Sequence, residues 1–486
     1  MLGESLVNTD EPPQLEWPLL GQAERRVREI QTKLHRWAND DPHRRFNDLY
    51  NLVADPAFLL VAWDRVRHNK GAKTAGVDGE SAYYVEAVRT VEGFLGELRT
   101  QLKDRSFTPV PVRERMIPKP GGKKKRRLGI ATVADRVVQA SLKLVLEPIF
   151  EADFLPCSYG FRPNRRTHDA VAEVHHFASR SYEWIVEGDI KACFDEISHS
   201  ALMDRVRQRV GDKRVLALVK AFLKAGILGE DGQLRDSITG TPQGGILSPL
   251  LSNVALSVLD EYIARAPGGP AATPYQRAKR RRQGLPNIRL VRYADDWCLL
   301  VSGTKAHAEV LREEIAEVLT GMGLRLSPEK TLVTHVDEGL DFLGWRAQRH
   351  RKRGTSKHYV YVYPAKKALH AIMAKVKTRC RQNLNQPLEV LLQQLNAMLR
   401  GWTTHFRHGC SNATFSYLRA FLWKRLVRWQ RRKHPRRTWR YLRRRYSRGD
   451  GWPTDGKLAL FDPAKVSAKR YYYRGTCIPT PWPAGV

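Results

Sequence analysis

The sequence predicts a two-part protein: a body of mixed helix and strand, of α/β or α+β type, from Phe46 to Tyr363, and a basic helical unit beyond it. Three observations predict this. Short β-branched runs alternate with helical patterns punctuated by Pro or Gly across the body. Past Tyr363, leucines recur at helical spacing. And 83 Lys and Arg against 50 Asp and Glu, a formal charge of +33, are clustered rather than interspersed, which calls for a polyanionic partner, with nucleic acid the first candidate.

Along the chain, the first forty or so residues are a polar leader and one helix, GQAERRVREIQTKLHRWAND, whose apolar positions are too sparse for deep burial. Acidic residues and prolines interrupt the N-terminus where a secretory signal needs an unbroken apolar run, and no segment is long enough to span a bilayer. The six cysteines, at 157, 193, 298, 380, 410 and 477, lack paired CxxC spacing, so neither a zinc ribbon nor a disulfide framework is expected. Cys193 and Cys298 are read as packing residues. Together these features predict a soluble, cytoplasmic, nucleoid-associated protein.

Val133, Val137, Ser141 and Leu144 mark a helical face ending at Pro148; Val310, Leu311, Ile315, Val318 and Met322 mark another, ending in a Gly-Met-Gly turn. Residues 265–287, rich in Pro, Gly and Arg and without periodicity, are expected to form a mobile loop. Leu388, Leu391, Leu392, Leu395, Met398, Leu399 and Trp402 form one apolar stripe of the second unit, and Phe415, Leu418, Leu422, Leu426 and Trp429 the next. Opposite them stand Arg419, Lys424, Arg425, Arg428, Arg431 and Arg432, followed by Arg436 and Arg437, a face suited to phosphates. Arg alternates with Trp and Tyr from 424 to 446, so the same face can stack on exposed bases.

The chemistry is carried by acids. In IRLVRYADDWCLLVS two apolar strands flank Ala294, Asp295 and Asp296, which places both acids at a hairpin tip. Adjacent carboxylates repel by about 1 kcal/mol in water and several-fold more when partly buried, so the pair calls for a cation, Mg2+ being the natural one. A third acid, Asp189, ends the apolar run WIVEGDI. Three such acids suffice to hold two metal ions for nucleotidyl transfer.

The motifs fall in the order and spacing of a known family. NKGAKTAGVDG at 69–79, IPKPGGKKKRRLGI at 117–130, SYGFRPNRRTHDA at 158–170, EGDIKACFDEISH, GTPQGGILSPLLSN, YADD, SPEKT at 327 and FLGW at 342 resemble group II intron reverse transcriptase-maturases, the bacterial retroelement proteins. LRGWTTHFRH at 399–408 resembles their maturase region.

The resemblance implies an α+β right-hand polymerase, fingers and palm with an antiparallel sheet, then an α-helical thumb and maturase domain. The expected divisions are 1–45, leader and helix; 46–365, fingers and palm; 366–446, thumb and maturase; and 447–486, a short tail where the family carries its DNA-binding segment. It makes Asp189, Asp295 and Asp296 metal ligands, with the backbone carbonyl of Ile190 a further one, for two Mg2+ ions or Mn2+ in their place. It places Lys119 and Arg126 on the incoming triphosphate, Phe194 against a ribose 2′-hydroxyl, and Gln243 beside the nascent base pair. The implied partners are intron RNA, an RNA template with a DNA or RNA primer, target DNA and deoxynucleotides.

Ala131 stands where many relatives carry proline, a change expected to alter loop stiffness slightly. No histidine-asparagine nuclease pattern follows Tyr446, so second-strand cleavage by this chain is not expected. His405 and His408 are assigned no chemistry. Two alternatives stay open: a mainly RNA-binding splicing cofactor, against which the intact acids speak, and a domesticated relative in DNA repair or phage defence.

Overall fold

The computed structural model describes residues 16–118, 125–382, 384–447 and 451–483. Helix α1 (Leu20–Asp40) packs against α2 (Pro56–His68). Strands β1 (Val112–Pro118) and β2 (Lys125–Ile130) form an antiparallel hairpin, and β1 continues into a parallel pairing with Ile227–Leu228. Helix α3 (Val133–Asp153) is the longest buried element of the body and packs on both α1 and α2.

Two expectations are corrected here. Helix α1 is deeply buried along one face, through Ala23, Val27, Gln31, Leu34, His35 and Ala38. Its apolar stripe is sparse because small and polar residues make the contact. And α3 does not stop at Pro148 but runs on to Asp153. A proline inside a helix orphans the carbonyl four residues back, here that of Leu144; Gln31 supplies the missing donor, its Nε2 bonding Leu144 O at 2.7 Å, while His35 Nδ1 reaches Pro148 O at 2.9 Å. The polar residues of α1 therefore repair the break in α3.

Helix α4 (Thr167–Ala178) precedes β3 (Trp184–Asp189); then come α5 (Ser248–Arg265), α6 (Pro274–Arg282), β4 (Asn287–Tyr293), β5 (Asp296–Ser302), α7 (Lys305–Thr320) and β6 (Leu332–His335). The four strands form one antiparallel sheet in the order β4-β5-β3-β6. Alternate residues face opposite cores: Val186, Leu290, Leu299 and Val301 face the large core shared with α1, α3, α5 and α7, whereas Ile185, Val291, Cys298 and Leu300 face a second core under α4. A sheet covered on both sides explains the continuous apolar runs.

Residues 265–287 are not a structureless loop. Thr273 caps α6 by accepting from the Gln276 amide, Gln276 returns the bond, and Pro274 occupies the first turn, where its missing N–H costs nothing. All of α6 is outside the core, which hid it from a periodicity test. On α7 the buried stripe is Ala308, Leu311, Ile315 and Leu319, with Val310 59% exposed.

A three-stranded sheet, β7 (Leu340–Phe342), β8 (Trp345–Arg351) and β9 (His358–Pro364), joins the body to helices α8 (Lys366–Gln382), α9 (Leu388–Phe406), α10 (Asn412–Lys433) and α11 (Trp439–Tyr446). Their core is the predicted leucine stripes together with Ile372, Val376 and Leu442. The tail then crosses back. Lys469 N bonds Arg407 O at 2.9 Å, Arg474 clasps the carboxylate of Asp169 on α4 at 2.8 Å, and Trp482 donates its indole N–H to Gln31 Oε1 at 3.1 Å. Among the described residues no helix is long and apolar enough to cross a membrane.

Candidate nucleotidyl-transfer site and its family

Asp189 is the last residue of β3 and pairs in register with Asp296, the first of β5; Ala294 and Asp295 form the turn between β4 and β5. Two features of the sequence make this presentation possible. Gly188 lies under the Trp297 ring, where an added Cβ would stand 2.0 Å from the indole, so only glycine lets the two strands close at their ends. Ala294 adopts a left-handed φ of 59°.

The acids feel one another. Burial is the main cause pushing the Asp296 carboxyl up to about 6, with the charges of Asp295 and Asp189 adding to it and those of Arg126 and Lys330 opposing. Asp296 remains exposed to solvent at the start of β5. Burial likewise raises Asp295, while its own backbone N–H and Arg126 oppose. Asp189 is held by Lys330, whose Nζ lies 2.8 Å from Oδ2. Among the described residues no three ligand side chains stand ready as a cage; Lys330 occupies the Asp189 side. The donor set is all oxygen, acidic and mutually repelling, which fits a hard divalent cation.

Of the predicted nucleotide residues, Arg126 acts on Asp295 and Asp296 through its charge, and Phe194 and Gln243 are held in one neighbourhood. Thr241 N donates to Phe194 O at 2.6 Å, Gly240 N donates to Ile197 O at 2.8 Å, and Gln243 Nε2 reaches both carboxylate oxygens of Asp195 at 3.1 and 3.2 Å. These bonds tie the Phe194 segment to the Pro-Gln-Gly-Gly turn. The Phe194 ring is half-buried and meets Phe161 edge-on at 6.5 Å. Gly129 N donates to Gln243 O at 2.7 Å, which docks β2 on the same turn and brings Arg126 within electrostatic reach of Asp295 and Asp296. Ile190 forms an isolated bridge with Leu326, and its two bonds use the Asp189 carbonyl and the Lys191 amide, so the Ile190 carbonyl takes no part in them. Lys119 lies outside the described residues.

The basic residues divide. Lys424, Arg428, Arg431 and Arg432 are exposed on α10, whose buried stripe carries Leu418, Leu422 and Leu426, and Arg436 and Arg437 are exposed just beyond its end. Arg425 is half-buried over the Phe421 ring. Arg419 is corrected: it faces the tail, paired with Asp462 at 3.0 Å and lying over Trp452 at 4.6 Å, so its charge is already engaged. Sequence reasoning passed over Lys330 within SPEKT and Trp423, which meets the Trp439 of the Arg-aromatic stretch edge-on at 6.4 Å, with Arg431 over Trp439. Cys193 and Cys298 are buried, their thiols pushed up by burial, to about 12 for Cys193. His405 packs against His168, Trp345 and Phe406, and burial lowers it to about 4.

The pattern of the reverse transcriptase (RNA-dependent DNA polymerase) family matches residues 117–347, and that of the group II intron maturase-specific domain matches residues 369–447. The chain is 38% identical to protein YkfC of Escherichia coli (strain K12) over 375 residues, 72% of this chain and 97% of that protein. It is 33% identical to the group II intron-encoded protein LtrA of Lactococcus lactis subsp. cremoris over 360 residues, 64% of this chain and 58% of LtrA. The chain belongs to the group II intron reverse transcriptase-maturase family. Its enzyme class is that of the family, RNA-directed DNA polymerase. The first match ends within β8 and the second begins within α8, so the reverse transcriptase pattern falls on the mixed body and the maturase pattern on the helical unit. Family members of this kind work on nucleic acid with divalent metal ions. The chain spans 58% of LtrA's length.

Proposed function

We propose that this reverse transcriptase copies RNA into cDNA at Asp189, Asp295 and Asp296, and that its helical unit grips intron RNA to assist splicing and retromobility. The observation that carries the reading is the in-register meeting of Asp189 with Asp296 at the end of the sheet, next to the Asp295 turn. In this reading 46–365 are fingers and palm of a right hand, 366–446 the thumb and maturase, and 447–486 belong to a DNA-binding segment.

The three carboxylates would hold two Mg2+ ions, or Mn2+, with the Ile190 carbonyl as a further donor; bound there, the ions supply Lewis acidity to the primer 3′-hydroxyl and to the departing pyrophosphate. The chain's own residues do the rest. Lys330 neutralises Asp189 until a cation is bound. Arg126, with Lys119, offers fixed positive charge to the triphosphate. The Phe194 ring, held in place through Thr241 and Gly240, closes the space a ribose 2′-hydroxyl needs, and Gln243 lines the nascent base pair. Lys424, Arg428, Arg431, Arg432, Arg436 and Arg437 neutralise phosphates of intron RNA while neighbouring indoles offer stacking surfaces. Template RNA with its primer, deoxynucleotides and target DNA complete the set of partners.

Primer extension on an RNA template tests the catalytic half. Asp295→Asn should abolish extension while leaving thermal stability unchanged or higher, since it removes one of three repelling charges. A variant that extends primers like the parent sinks the assignment.

A further inference from the structure

Arg292 is completely enclosed, three residues before Asp295. All five of its N–H donors are used. Nε bonds Asp260 Oδ1 at 2.7 Å and Nη2 bonds the other oxygen of the same carboxylate; Asp260, on α5, is itself buried. Nη2 also donates to Ser158 Oγ at 2.8 Å, and Nη1 to Asn253 Oδ1 at 2.9 Å and to the Ala294 carbonyl at 3.1 Å. The network has a second tier. Asn253 Nδ2 donates to Gly160 O at 2.8 Å, and the Arg292 backbone bridges the same segment, accepting from Tyr159 N at 2.8 Å and donating to Cys157 O at 2.9 Å. Gly160 lies against the turn so closely that a Cβ there would sit 2.2 Å from Ala294 N.

A buried ion pair is a poor way to stabilise a core: well-packed apolar residues of the same volume do as well or better. The placement of this one suggests another use. Ala294 is left-handed without being Gly or Asn, a conformation that persists only when its surroundings over-determine it. Its carbonyl is pinned by Arg292, and its amide is backed by Gly160.

We infer that Arg292, anchored by Asp260, Asn253 and Ser158, is a positioning residue that locks the Ala294 turn and thereby sets the direction in which Asp295 and Asp296 face the metal ions. The inference rests on the reading of these acids as metal ligands. It gives the Ser-Tyr-Gly-Phe-Arg-Pro motif a role: residues 157–160 are the wall against which the catalytic hairpin is set.

Binding of Mn2+ alone to the full-length protein, followed by electron paramagnetic resonance alongside the thermal midpoint, tests it without turnover. Arg292→Lys keeps a charge for Asp260 but cannot reach four partners at once, and should weaken Mn2+ binding about tenfold or more, as loss of groups that orient metal ligands generally does. Ser158→Ala, which removes one bond and is easily folded, should weaken it in the same direction by less. In both, kcat should fall with little change in the KM for deoxynucleotide. A folded Arg292→Lys that binds Mn2+ like the parent overturns the inference. Should Arg292→Lys fail to fold, unaltered Mn2+ affinity in Ser158→Ala overturns it equally. Asp295→Asn separates the two levels: if it too binds Mn2+ like the parent, the metal-ligand assignment fails, whereas loss in Asp295→Asn alone rejects only the role of Arg292.

Discussion

At the scale of single residues, the three acids form a site under electrostatic stress. The Asp296 carboxyl, raised by burial and then by its two acidic neighbours to about 6, is a group the folded protein holds protonated more readily than the unfolded chain does. Its contribution to stability is therefore present below the ordinary value of 3.8 and lost as pH climbs through about 6. Metal-free protein should lose part of its melting temperature across that window. Because a cation competes with the proton, Mg2+ should raise the melting temperature more at about pH 7 than at about pH 5. Equal stabilisation at both would place Mg2+ elsewhere. The acids themselves were legible in the sequence, since two apolar runs around Asp-Asp specify a hairpin tip. Arg292 and Asp260 were not: their pairing spans 32 residues and two elements, and nothing in local patterning distinguishes a buried arginine from a solvated one.

At the scale of elements, the contact between α1 and α3 shows how a helix with few apolar residues can still be a core element. Gln31 bridges the Leu144 carbonyl and the Trp482 indole, both within the interior. Gln31→Leu should cost roughly 1–3 kcal/mol, because two buried polar groups lose a partner at once; chemical denaturation reads this, and a neutral result would mean that water replaces the amide. In the helical unit, Leu422→Ala on α10 should cost about 2–5 kcal/mol by leaving a cavity in a well-packed core. That stripe was readable because its period is helical and its partners are adjacent in sequence. The continuation of α3 past Pro148 was not, because the compensating donor lies 113 residues away. The helix at Pro274–Arg282 escaped notice for a different reason: capping, not burial, holds it.

At the scale of the whole molecule, a formal charge of +33 becomes directional only through folding. Helix α10 and the segment after it present exposed cations, while Arg419 is engaged by Asp462. The triple change Arg428→Glu, Arg431→Glu and Arg432→Glu should weaken RNA binding and lower the slope of affinity against salt by about three. Arg419→Ala should leave that slope alone and instead loosen the tail, detectable as faster proteolysis after Tyr446. The reverse pattern would put the RNA on the other side of the helix.

The clasp of Trp482 by Gln31 joins positions 451 residues apart. A ribosome adding about 5–20 residues per second delivers the indole roughly 20 to 90 s after the glutamine. Throughout that interval the nascent chain carries α1 without its last partner. The layer built on α1 thus closes only after Trp482 has emerged, and a chain stalled or terminated before it would display an open seam there for chaperones and proteases to find.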